Sequence, residues 1–371
     1  HTRQPMKNCF LIFTLFILLS SQAVSAPENS VEVKLKSYIT LHKDWQEQLL
    51  KKLVNINSGT SNINGVKRVG EIMQSQLRLL GFQTHWAKEP ANMHRAPTLI
   101  AEHRGKQGKR LLLIGHLDTV FPADSKFQTY EQHLHSAKGP GVTDDKGGMV
   151  VLLSALKALH AVNALNNTSI TVVLTGDEED SGKPSHIARQ PLIEIAKRSD
   201  VALDFEPSIT LETVSIARRG IALWTIKAHG NESHSATIFQ DHVGDGAIFE
   251  LAHVLSTMLK ELKGEKYLSF NPGILLGGTS IDFNDKTTRG TAFGKENVVA
   301  KTAIAKGDFR FLDDNQAANV EEKIRHIVSK TLPGTTAEVT FQPGIPAMPP
   351  TENNLALLTQ YSDASIDLGL G

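Results

Sequence analysis

Apolar residues at Leu41, Trp45, Leu49, Leu50 and Leu53 recur at three- and four-residue intervals, and Val66, Val69, Met73, Leu77 and Leu80 do the same, with Gly81 as a C-terminal stop. Both segments read as amphipathic helices with one stripe toward a core. The period then changes. Short apolar runs at 98–102, 111–114 and 170–174 read as buried strands, 147–161 and 184–197 as helices, and 201–205 as a further short strand. Strands rich in Leu, Ile and Val that alternate with helices predict an α/β sheet covered on both faces.

After residue 213 the order is different: strand 221–229, helix 244–262, strands 273–281 and 298–311, helix 320–330 and strand 337–341. This β-α-β-β-α-β order predicts a small two-layer α+β domain. Pro343, Pro346, Pro349 and Pro350 suggest a hinge, followed by a helix over 353–368. The expected organisation is a first domain over 27–213, an inserted domain over 214–346, and the start of a returning segment over 347–371.

The N-terminus reads as an address rather than as fold. Lys7 precedes an apolar run from Cys9 to Leu19, and small residues lead to an expected signal-peptidase cut after Ala26. The run is shorter than the roughly 20 residues of a membrane span, so no stable span is expected, and the protein is expected to be periplasmic or secreted. With 371 residues, 39 basic and 39 acidic side chains balance, so no global field draws nucleic acid or anionic membrane. The single cysteine, Cys9, would leave with the signal, so any metal must be held by His, Asp and Glu. No G-x-G-x-x-G follows a strand, which removes a dinucleotide enzyme from the expectations.

Four segments collect chemistry where strands or glycine turns end. An apolar strand leads to His116-Leu117-Asp118, where extended backbone puts both side chains on one face and the carboxylate can fix the imidazole tautomer. A Gly/Pro loop, residues 139–148, carries Asp144 and Asp145 into a helix N-terminus; alone it is an ordinary turn. Residues 177–180, Asp-Glu-Glu-Asp, follow the strand 170–174; Glu178 and Glu179 point to opposite sides if extended, so that one can hold a metal while its neighbour faces a bound water. Asp204 and Glu206 end a fourth run. Singly each has a bland reading as turn, cap or solvated loop. Together, at the carboxyl edge of parallel strands, they predict a centre for two divalent ions of the zinc type, with cobalt or manganese possible.

The ordered set Gly-His116-x-Asp118-Thr-Val, Gly-x-x-Asp144-x-Lys-Gly-Gly, Glu178-Glu179 and Phe-Glu206-Pro resembles the co-catalytic zinc exopeptidase and amidohydrolase family of glutamate carboxypeptidase, aminoacylase and acetylornithine deacetylase. The resemblance runs from about residue 40 to the end. It implies a mixed sheet sandwiched by helices, with an inserted lid and dimerisation domain. It favours Asp144 over Asp145 and Glu206 over Asp204 as ligands. Asp144 would bridge two zinc ions, His116 and Glu206 would complete one, and Glu179 would serve the other. Asp118 would orient His116, and Glu178 would be the general base. In the inserted domain, His234 would stabilise the oxyanion, often across a homodimer, and Asn297 and Arg310 would grip the substrate.

The resemblance implies a peptide substrate cut by a carboxypeptidase, an N-acyl-amino-acid deacylase as the nearest alternative, and, in another class, a silent binding protein of the same fold. Two positions depart from the family. Ala300 stands where Pro is usual, and Ile345 stands where glutamate-releasing relatives tend to carry Arg, which speaks against an acidic C-terminal substrate residue. The family's last ligand is a C-terminal His, and no His follows His326. The sequence is therefore expected to be truncated, and inactive by itself.

Overall fold

In a computed structural model, described for residues 30–88, 90–210 and 212–369, the chain divides into two compact units, one as far as Pro207 and one from Ser208. The expected signal, residues 1–26, lies outside the described residues. Among those that are described, no helix is long and apolar enough to cross a membrane.

The first unit runs α1 (Val31–Leu41), α2 (Lys43–Val54), α3 (Ile63–Leu79), β1 (Gln83–Trp86), β2 (Leu99–His103), β3 (Gln107–His116), β4 (Glu131–Gln132), β5 (Ala137–Lys138), α4 (Lys146–Ala161), β6 (Thr168–Thr175), α5 (Ser185–Ala188), α6 (Gln190–Lys197) and β7 (Val201–Asp204). Its main sheet has the order β1-β2-β6-β3-β7 and is mixed. β6, β3 and β7 are mutually parallel, whereas β2 runs antiparallel to β6 and β1 to β2. Period-two alternation splits the strands between two cores. Leu113, Val172 and Leu174 pack with α3 and α4 through Val69, Met73, Leu77, Leu152 and Leu153, while Leu112 and Val173 pack on the other face with Ile195 of α6.

Two differences from the sequence reading concern this unit. The helix expected over 184–197 is two helices broken at Arg189, because Pro191 sits in the first turn of α6 and its ring would clash with the carbonyl four residues back in a continuous helix. The strand β1 carries too few residues to show a period and was not expected.

β7 is fixed beside β3 by a pair at its start. Asp200 accepts from the backbone N–H of Arg110 at 2.8 Å and from its guanidinium at 2.6 and 3.0 Å, and donates its own N–H to the Arg110 carbonyl. The guanidinium holds the exposed Asp200 carboxyl well below the usual carboxylate range. Its unfolded form binds a proton first as pH falls, at about 3.9, so the pair's contribution is complete above that pH and is lost on acidification through the lower folded value. Asp200→Asn is therefore expected to lower stability slightly near neutrality, with the gap to wild type narrowing below about pH 4. Urea unfolding of both proteins across that range checks it, and a gap that stays constant contradicts it.

The second unit contains β8 (Gly220–His229), α7 (Ala247–Leu262), β9 (Ser269–Gly278), β10 (Ser280–Asn284), β11 (Arg289–Phe293), β12 (Thr302–Phe311), α8 (Asp314–Val328), β13 (Thr336–Pro343) and α9 (Glu352–Asp367). An antiparallel sheet of order β13-β8-β12-β9 is covered by α7 and α8 through Trp224, Ile226, Phe309, Leu251, Val254, Val320 and Ile324. The single strand expected at 273–281 is the end of β9 and the start of β10, and the hairpin β10–β11 is an addition to the expected order. Helix α7 begins three residues late because Gly244 and Gly246 both take positive φ, 76° and 79°. Phe309 is fully buried, with ring contacts to Phe311 at 5.7 Å and Phe341 at 6.2 Å. Phe309→Ala is expected to cost about 3–5 kcal/mol, read by denaturant unfolding; a loss below about 1 kcal/mol would contradict this packing.

Candidate metal centre

Three parallel strands bring chemistry to one edge of the sheet of the first unit. β3 ends on His116, β6 leads through Thr175 into the turn at 176–182, and β7 ends two residues before Glu206. Their ends are level because Ile114 pairs with both Val173 and Asp204, and His116 pairs with Thr175. The N-terminus of α4 supplies the fourth segment, with Asp144 and Asp145.

His116 is 1% exposed. Its Nε2 lies 2.8 Å from Oδ1 of Asp144 and 3.3 Å from Oε1 of Glu206, and its Nδ1 lies 3.1 Å from the Asp118 carbonyl and 3.3 Å from Asp118 Oδ1. Asp118 is fully buried. Its Oδ2 accepts from the Thr60 hydroxyl at 2.7 Å and the N–H of Glu179 at 3.2 Å, and Oδ1 accepts from the N–H of Glu178 at 3.0 Å. One carboxylate thus aligns the imidazole and pins the acidic turn.

Two overlapping groups of ligand atoms result among the described residues: His116, Asp144 and Glu179, and His116, Glu178 and Glu206, with the atoms of each group within 4.8 Å of one another. The second acid of the loop has a different place. Asp145 is fully buried, and its Oδ2 accepts from the backbone N–H of His116 at 3.1 Å, which ties the loop to the end of β3. That closeness requires glycine on α4, since a Cβ at Gly148 would stand 2.0 Å from Asp145 Oδ1 and 2.1 Å from the Phe205 carbonyl.

The electrostatics describe an excess of negative charge. Burial acts to strip His116 of its proton, but hydrogen bonds with Asp118 and Glu206 outweigh it, and its pKa is pushed up to about 12. Burial also acts against the Asp118 carboxylate, yet His116, Thr60 and the Glu178 N–H keep it below the usual range. Burial raises Glu178. It lifts Glu179 to about 7 with help from Asp144, and Asp145 to about 8. The buried Lys146 is engaged with backbone: it donates to the Ile56 carbonyl at 2.8 Å, and burial lowers its pKa to about 8. A divalent ion fits such a site, and an imidazole-and-carboxylate donor set without thiols suits zinc, cobalt or manganese.

The remaining candidates lie in the second unit. His234 Nδ1 accepts from the N–H of Ala236, His234 bridges to Val298, and the N–H of Ser235 donates to the Asn297 carbonyl at 2.9 Å, so His234 and Asn297 stand side by side. Arg310 does not join them. Thr302 pairs with His229, at the end of β8 that leads toward His234, whereas Arg310 pairs with Ile221 at the other end. Eight residues of strand separate the two places, about 26 Å at roughly 3.3 Å per residue. Arg310 instead lies 3.5 Å from Asp308.

Three residues here carried no local signal: Thr60 on Asp118, Arg189 on the acidic turn, and Arg95, whose guanidinium holds the carbonyl and carboxylate of Asp180 at 2.6 and 2.5 Å. Asp145, on the His116 backbone, and Asp177, the first acid of the turn, lay within segments already singled out.

This fold and this cluster define a metallohydrolase that cleaves amide bonds. The chain belongs to peptidase family M20/M25/M40, whose family model matches residues 112–370. It is 31% identical over 335 residues to carboxypeptidase G2 of Pseudomonas sp. (strain RS-16), covering 86% of this chain and 74% of that one. It is 26% identical over 307 residues to succinyl-diaminopimelate desuccinylase of Gluconobacter oxydans (strain 621H), covering 79% and 72%. Among solved structures, the YXEP protein of Bacillus subtilis, described as a dinuclear metal binding peptidase from the M20 family, matches with a TM-score of 0.56 at 12% identity, covering 90% of this chain and 81% of that one.

Proposed function

We propose that the protein is a two-metal amidohydrolase of the carboxypeptidase type, which releases the C-terminal amino acid of a peptide. The observation that carries this reading is the buried His116 shared by two groups of carboxylates, one of which includes Glu178 held by Asp118. His116, Asp144, Glu179 and Glu206 would hold the ions, with Asp144 common to both. Bound zinc, or cobalt or manganese in its place, would lower the pKa of a water and polarise the scissile carbonyl.

The chain's own groups do the rest. Asp118 keeps His116 in one orientation. The Glu178 carboxylate takes a proton from the attacking water and passes it to the leaving amine, and burial, which raises its pKa, suits it to both tasks. His234 serves the oxyanion, and Asn297 and Arg310 grip the substrate's carboxylate or backbone.

The distance between these last groups supports a homodimer. A dipeptide spans only about 7 Å, so one second unit cannot offer both Arg310 and His234 to it; two subunits, one lending His234 and Asn297 and the other Arg310, can. The charged n-region, the apolar run and the small residues before Ala26 support export, which N-terminal sequencing of the secreted protein tests.

The likeness to a desuccinylase favours N-acyl amino acids as a second reading. A panel of peptides differing in their last residue, assayed with the protein of the full reading frame beside N-acyl amino acids in the presence of zinc, separates the two. Hydrolysis of peptides, without preference for an acidic last residue given Ile345, is expected. Turnover of acyl compounds alone moves the reading to a deacylase, and turnover of neither moves it to a binding protein.

A further inference from the structure

Arg189 stands at the break between α5 and α6, outside every segment that the motifs cover. Its guanidinium reaches back to the acidic turn. Nη1 lies 2.5 Å from Oδ1 of Asp177, and Nη2 donates to the Asp177 carbonyl at 2.9 Å and to the Glu178 carbonyl at 3.4 Å. Asp177 is 3% exposed, and its other carboxylate oxygen accepts from the Gly182 N–H at 2.7 Å, which closes the turn on itself.

Glu178 is flanked by two peptide groups, and all four of their polar atoms are held from two sides. The N–H groups of Glu178 and Glu179 both point to Asp118, and the carbonyls of Asp177 and Glu178 both accept from Arg189. The backbone of Glu178 is thereby fixed, and only its side-chain rotamers remain free. Asp118 performs one half of this while also serving His116. Arg189 performs the other half.

We propose that Arg189 is a positioning residue, which clamps the carbonyls around Glu178 so that its carboxylate stays in line for proton transfer. The role suits arginine. A planar fork reaches one carboxylate and two carbonyls at fixed angles, whereas a lysine ammonium on a flexible stem does not reproduce the set. A misplacement of about 1 Å at a reacting group can cost about 100-fold in rate.

The inference rests on Glu178 as the proton acceptor, and the test keeps the two apart. Arg189→Ala, Arg189→Lys and Glu178→Gln are compared with wild type on the fastest substrate of the panel above, alongside bound metal per chain and the thermal midpoint. Arg189→Ala is expected to lose about 100-fold in kcat, with KM and bound metal unchanged, and Arg189→Lys to recover little of it. Added guanidinium ion should restore part of the rate in Arg189→Ala and none in Arg189→Ala combined with Glu178→Gln.

A kcat close to wild type in both Arg189 variants overturns the proposal, and so does a loss that follows falling metal content or a falling midpoint without guanidinium rescue. If Glu178→Gln itself retains full turnover, the proton-acceptor reading fails first. If Glu178→Gln is silent while Arg189→Ala is unimpaired, only the clamp fails.

Discussion

Glu178→Gln is expected to lower kcat by about 100- to 10,000-fold, the range of a positioned general base, while the protein still folds and binds its metal. Glutamine keeps the shape and the buried volume and removes only the proton acceptor. The backbone N–H of residue 178 still donates to Asp118, so the turn keeps its anchor. Burial already disfavours the Glu178 charge, so its removal costs the fold little. Metal content is the decisive companion, because the Glu178 carboxylate also lies within 4.8 Å of ligand atoms of His116 and Glu206. Retained metal with lost turnover makes Glu178 a base. Metal lost together with turnover makes it a ligand.

His116→Ala is expected to abolish hydrolysis and metal binding together. His116 belongs to both donor groups, and its Nε2 faces Asp144 and Glu206 at 2.8 and 3.3 Å. Loss of several kcal/mol of Lewis-acid stabilisation, at about 1.4 kcal/mol per tenfold, removes about three orders of magnitude or more from the rate. The variant also leaves Asp118 facing the site without its imidazole partner, so its unfolding midpoint should fall. Elemental analysis and kcat, measured on one preparation, check the result, and a variant with full metal and near-normal turnover contradicts it.

The pieces of this centre that could be read from sequence are those with a local cause. Leu111 to Ile114 is an apolar run, so His116 and Asp118 had to stand at a strand end, and the same holds for the acids after Leu174 and Leu203. Alternation of strands and helices then implied that these ends gather at one edge, which three mutually parallel strands explain. The antiparallel β1 and β2 on the far side left no mark of direction in the sequence. Support from a distance was hidden as well. Thr60 lies 58 residues from Asp118, and Arg189 twelve residues from Asp177, in a stretch whose apolar spacing suggested one unbroken helix until Pro191 is given its steric weight. In the second unit, His234 and Asn297 share no sequence pattern; an antiparallel bridge and one backbone hydrogen bond make them neighbours. In the hairpin, β11 is exposed at every position and has no buried face to produce a period, whereas β10 alternates exposed and half-buried residues.

The central claim is a divalent metal centre built on His116 that the hydrolysis of an amide bond requires. It is tested most directly by stripping the purified protein of the full reading frame with a chelator and titrating zinc back while hydrolysis of a peptide panel is followed. The account predicts no turnover in the stripped protein, and activity that returns with added zinc and levels off near two equivalents per chain. Full turnover in protein shown by elemental analysis to be free of metal would contradict it.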